Sequence, residues 1–214
     1  MSFNGNDTYL FVMSMLALVV CITIHEFAHA YSAYRAGDDT PKAQGRISLN
    51  PLDHLDLMGT IMMVVSSMSG FGVGWGKPVI VNPLNFNRPR WDNLWVSLWG
   101  PLSNLLTALV TGTALRFLGT HMSYSVELFV YMITAISVGL AIFNLIPIAP
   151  LDGSHIVSSL LPYEKAKRYD YFMARFGIII FLGLIFIGSG RGFNVLDMIL
   201  GPPRDFLMHL FTGL

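Results

Sequence analysis

His25-Glu26-Phe27-Ala28-His29 is the stretch of this sequence best suited to chemistry. On a helix, residues four apart leave the same face one turn apart, so both imidazoles can reach one ion. Tetrahedral zinc accepts two such nitrogens, and Glu26 then sits beside the metal as a general base. The surroundings sharpen this reading, because no charged side chain occurs from Leu10 to Ile24. In a soluble helix, hydrogen bonds alone could satisfy a histidine pair. In a bilayer, two imidazoles and a carboxylate without a partner are expensive, and a bound cation is the obvious partner.

The elements that must position this motif follow from composition. Of 214 residues, 53% are hydrophobic and 12% are charged, about half the charged share of an ordinary soluble domain. That predicts an all-α integral membrane protein, embedded in the lipid bilayer. The zero net charge gives no sign of a nucleic-acid partner. The single cysteine, Cys21, excludes an intrachain disulfide and a cysteine-rich zinc site, and reads as a packing residue. The N-terminus lacks the basic region of a secretory signal and carries Asp7, so the first apolar run is expected to stay in the mature protein.

Apolar runs predict four transmembrane helices, over residues 9–34, 92–118, 124–148 and 171–187. Residues 57–70 are apolar but fall short of the usual spanning length of about 20 residues. Pro78 and Pro83 bracket a β-like run after them, so 57–86 is expected to be a re-entrant or interfacial segment with a β-like hairpin. A core over 1–190 would then be followed by a tail, 191–214, with an interfacial helix over 206–211. Charge decides whether 57–70 crosses. If it does not, Arg35, Lys42, Arg46, Lys77, Arg88, Arg90, Lys165, Lys167 and Arg168 share one side, and the other holds Arg116, Arg191 and Arg204. If it does, the asymmetry collapses. The positive-inside rule favours four spans with the charged loops in the cytosol.

A catalytic zinc site needs a third protein ligand and an open fourth position. Candidates are His54, Asp56, His121, Glu127, Asp152, His155 and Asp170. His25 lies about 15 Å from the inner end of its helix, and the ligand must reach that depth. Pro147 and Pro150 break the third span and leave Asp152 on irregular backbone able to fold back. His155 is its nearest rival, followed by His54 and Asp56. His121 and Glu127 fall at the opposite end.

These motifs together make the chain resemble the site-2 protease family of intramembrane zinc metalloproteases, in its small branch without PDZ or nucleotide-sensing domains. The resemblance rests on His25-Glu26-Phe27-Ala28-His29 and on Asn144-x-x-Pro-x-x-Pro-Leu-Asp-Gly153. Weaker matches are Gly100-Pro101-Leu102-Ser103-Asn104, Asn50-Pro51 and Gly76-Lys77-Pro78-Val79. It implies that His25, His29 and Asp152 bind Zn2+, that Glu26 is the catalytic base, and that the site faces the cytosol of a bacterial or archaeal plasma membrane.

Two further expectations concern substrate. Asn144, at the same depth, is a candidate oxyanion donor, although membrane asparagines also bond between helices. A substrate helix from a membrane protein must unwind before hydrolysis, and Val79, Ile80 and Val81 could hold it by strand addition. The competing readings are a non-proteolytic membrane protein with structural zinc, and a metal transporter. A transporter should carry ionisable groups in several helices on both sides of the midplane, whereas here they gather at one depth.

Overall fold

The computed structural model describes residues 5–68, 76–186 and 195–213. The first apolar run forms α1, Gly5–Arg35, with Asp7 in its first turn and Arg35 in its last, each matched to the helix dipole. Pro89 opens α4, Pro89–Leu118, and the Asp92 carboxylate accepts the Arg88 N–H at 2.6 Å. Two more long helices follow, α5 (Tyr124–Asn144) and α7 (Tyr163–Phe186). These four are long and apolar enough to cross a bilayer, and the chain is an all-α membrane protein.

Helices α1, α4 and α5 pack on one another and form the centre of the bundle. Away from the site, small residues let the backbones approach. Ala17, Cys21 and Ile133 make a fully packed contact, with Cys21 Sγ 3.1 Å from Ser137 Oγ. Thr134 donates to Thr111 at 2.8 Å, a hydroxyl pair of the kind that joins helices in lipid. By contrast, α7 buries only Gly177, against Ala149.

Shorter elements connect or follow the long helices. They are α2 (Thr40–Ala43), α3 (Leu57–Met68) and α6 (Asp152–Leu160). The 12 residues of α3 reach about 18 Å, too short for a hydrocarbon core of about 30 Å. Among the described residues no strand forms. The β-like run is extended chain, tied by one antiparallel bridge between Leu55 and Gly76. Residues 69–75 of the expected re-entrant segment lie outside the described residues, as do 187 and 191–194.

Several boundaries differ from the sequence expectation. The third span stops at Asn144, not 148, and tight turns carry the chain to α6, which the polar composition of 152–170 concealed. The fourth helix starts at Tyr163, not 171, because Glu164, Lys165, Lys167 and Arg168 are good helix formers that hydropathy ignores. The tail forms α8, Val195–Thr212, running through Pro202 and Pro203 and longer than the expected 206–211. It packs on α4 and α5, where Phe211 sits so close to Gly112 that an added Cβ would meet it at 2.7 Å.

Candidate metal centre

His25 and His29 leave α1 toward α4, and Asp152 arrives from the first turn of α6. His25 Nε2 and His29 Nε2 are 3.0 Å apart, and Asp152 Oδ2 lies 3.2 Å from the first and 3.3 Å from the second. Atoms bound about 2.0–2.1 Å from a tetrahedral ion lie about 3.3 Å from one another. The triangle therefore has the dimensions of three zinc ligands. Its electronics fit too: Asp152 Oδ2 is buried without a hydrogen-bond partner among the described residues, a costly arrangement that a cation would relieve.

Neighbouring groups set which lone pairs converge. His29 Nδ1 is 2.8 Å from the Val96 carbonyl, which can only accept, so Nδ1 carries the proton and Nε2 is free to ligate. His25 Nδ1 is 3.1 Å from Asn104 Nδ2, while the fully buried Asn104 Oδ1 has no partner among the described residues. Turning that amide over places Oδ1 on Nδ1–H and frees His25 Nε2 in the same way. Gly100 makes the approach of α4 possible. A Cβ there would overlap His29 Nε2 and come within 2.7 Å of His25 Nε2.

Asp152 is placed by the break after α5. Leu151 N–H bonds Ile148 C=O at 2.9 Å, Ser154 N–H bonds Leu151 C=O at 3.0 Å, and the Ala149–Pro150 bond is cis. Gly153 lies against the Leu145 and Ile146 carbonyls, where no side chain fits. The far end of α6 is fastened by Arg90, which donates to the carbonyls of Ser159 (2.6 Å), Leu160 (3.1 Å) and Leu161 (3.0 Å).

A cavity of about 250 Å³ opens on this cluster and also touches Glu26, Val79, Val81, Asn144 and His155. Glu26 Oε2 accepts the Val79 N–H at 3.2 Å. Val79 and Val81 line the cavity but Ile80 points away and is 62% exposed, the alternation of extended chain. Asn144 reaches the cavity with one amide hydrogen bond given to Leu140 C=O at 3.0 Å. A larger cavity, about 810 Å³, lies between α1 and α4; it is mostly apolar and shares Val96 with the cluster.

Other candidates fall elsewhere. His155 lines the cavity but stands outside the three-residue group. His54 is fully buried and donates from Nε2 to Ser48 C=O at 2.7 Å, holding a loop. Asp56 caps α3 through the Gly59 N–H at 2.7 Å. His121 is in the turn Gly119–His121 that follows α4.

Sequence reasoning missed Asp38 and Arg46. Asp38 Oδ2 accepts the Asn82 N–H at 2.7 Å, and Oδ1 accepts from Thr40 and Asn85, fixing the end of the extended segment to α1. Burial raises its pKa, but those donors outweigh burial and hold the carboxyl below its ordinary value. A short carboxylate just past a helix end, followed by Thr-Pro, was the signal available.

Comparison with known proteins bears on the family of the chain. Residues 114–184, which include Asp152, match the model of peptidase family M50. Over 207 residues the chain is 36% identical to "Putative zinc metalloprotease YwhC" of Bacillus subtilis, covering 94% of this chain and 91% of that one. It is 30% identical over 177 residues to "Putative zinc metalloprotease Rip2" of Mycobacterium tuberculosis, covering 80% of this chain and 67% of that one. No solved structure matches the chain.

Proposed function

The chain belongs to peptidase family M50, the site-2 protease family, and from that premise we propose that it is an intramembrane zinc endopeptidase. Its substrates would be membrane proteins, cut in or near a transmembrane segment. The observation that carries this reading is the convergence of His25, His29 and Asp152 on one point, beside Glu26, in a cavity among membrane-spanning helices.

His25, His29 and Asp152 would hold the ion. Zinc bound there supplies a Lewis acid that acidifies a water and polarises the scissile carbonyl. The protein's own part is proton transfer and positioning. Glu26 takes a proton from the attacking water through the carboxylate oxygen that faces the cavity, then returns it to the departing amine. Asn144 keeps one amide N–H beyond its bond to Leu140 C=O and is placed to donate it to the developing oxyanion.

Unwound substrate is held by the extended segment. Lys77 N–H, Val79 N–H and Asn82 N–H are used internally. The Ile80 and Val81 N–H groups and the carbonyls of Val79, Ile80 and Val81 have no partner among the described residues, leaving an edge to which a strand can add. The site faces the cytosol of a bacterial or archaeal plasma membrane in this reading, because nine cationic residues of the site-end loops and the adjoining helix ends, Arg35 to Arg168, lie on that side.

Glu26→Gln tests the proposal. Purified variant should bind zinc as the native protein does and cleave nothing. Undiminished cleavage would remove Glu26 as base.

A further inference from the structure

Arg46 is the largest fully buried side chain of the described residues, yet the reaction outlined above gives it no task. Its guanidinium reaches three elements. One Nη donates to the Asp53 carbonyl and the other to the Lys77 carbonyl. The second also lies 3.7 Å from Glu26 Oε2. Arg46 Nε has no partner among the described residues, and the contacts described are all made at its forked tip.

Backbone carbonyls alone do not account for a buried positive charge, which is costly unless an anion stands close. Glu26 is the carboxylate within ion-pair distance. The Val79 N–H points at the same oxygen from 3.2 Å. Oε2 is thus faced from two directions, by the charge of the fork at 3.7 Å and by a hydrogen bond from the extended segment. Oε1 carries no hydrogen bond among the described residues and stands 3.8 Å from the place a Gly76 Cβ would occupy. A planar fork suits this work better than an ammonium, since it spans separated acceptors in fixed directions.

We propose that Arg46 is a positioning residue that locks Glu26 and the substrate-receiving backbone at residues 77–79 into one unit. With Oε2 held, Oε1 is the oxygen presented to the reacting water. Because the fork also holds Lys77 C=O, the base keeps its register with whatever strand adds to the neighbouring edge. This inference rests on Glu26 being the base.

The test uses the full chain in detergent with casein, an unstructured polypeptide that needs no unwinding. Arg46→Met should lower kcat by about a hundredfold, the scale of a small misplacement of a catalytic group, with KM within about threefold and zinc at one per chain. Arg46→Lys keeps the cation but loses the fork, and should fall between Arg46→Met and the native protein. If Arg46→Met does not fold, Arg46→Lys decides: reduced kcat with full zinc supports the proposal. Native kcat in either folded variant overturns it, and so does a kcat loss that tracks zinc loss in both. Activity in Glu26→Gln would instead sink the proposed function. An inactive Glu26→Gln beside a fully active Arg46→Met would sink this inference alone.

Discussion

Two short helices at the same end of the bundle, α3 and α6, are built on opposite terms. Nine residues of α6 are fixed at both ends, by Gly153 against the turn after α5 and by Arg90 on the last carbonyls. α3 is longer, at 12 residues, yet Leu57, Met58, Ile61 and Val65 are exposed and Met63 is its buried hydrophobic residue. The difference follows from what each carries. A ligand atom must be held to a few tenths of an ångström, so α6 is anchored by backbone contacts that tolerate little movement. A mostly apolar helix that carries no ligand atom needs only a compatible surface, and α3 has one.

The contrast can be broken most severely at its metal end. Asp152→Ala should abolish cleavage and weaken zinc binding by more than about a hundredfold, measured by competition with a chelator. Gly100→Ala should do nearly the same without altering a ligand, because its Cβ would overlap the imidazoles. Zinc bound normally to Gly100→Ala would show that the α1–α4 approach is looser than described.

Anchoring of α6 is probed next. Arg90→Met removes three carbonyl bonds and should lower zinc affinity by about 10-fold to 100-fold, as loss of outer-shell support does elsewhere. Asp56→Ala, which uncaps α3, should cost about 1 kcal/mol of stability and leave zinc affinity unchanged. Equal effects of the two substitutions would erase the distinction between the helices.

A smaller and pH-dependent effect is expected at Asp38. Its folded pKa is depressed, so its stabilisation is present above the unfolded value of about 3.9 and disappears as pH falls through the lower folded value. Native protein should therefore lose melting temperature more steeply below about pH 4 than Asp38→Asn, whose side chain does not titrate. Parallel melting curves would show that Asp38 is not held as described.

Much of the architecture was legible in the sequence for a physical reason. Lipid enforces long uninterrupted apolar runs, so α1, α4 and α5 announce themselves, and zinc enforces a four-residue spacing, so His25 and His29 do as well. What stayed hidden was determined by polar residues working at short range. The start of α7 at Tyr163 and the whole of α6 are written in charged and hydroxyl residues that hydropathy scores as loop. Asn104 was visible as part of Gly100-Pro101-Leu102-Ser103-Asn104, but only tertiary packing shows that it meets His25 Nδ1 and that Gly100 is the gap for both imidazoles. Arg46 looked like one more loop cation on the charged side. Nothing in its neighbours indicates that it turns inward to Glu26, because its partners come from residues 26, 53 and 77.

The most direct measurement is X-ray absorption at the zinc edge of the purified native protein and of Asp152→Ala. Native protein should contain one zinc per chain, with two imidazole nitrogens and one carboxylate oxygen about 2.0–2.2 Å away and a fourth light atom completing the shell. The variant should lose the ion or the carboxylate oxygen. Absence of stoichiometric zinc from native protein, or an unchanged shell in Asp152→Ala, would contradict the metal centre described for this chain.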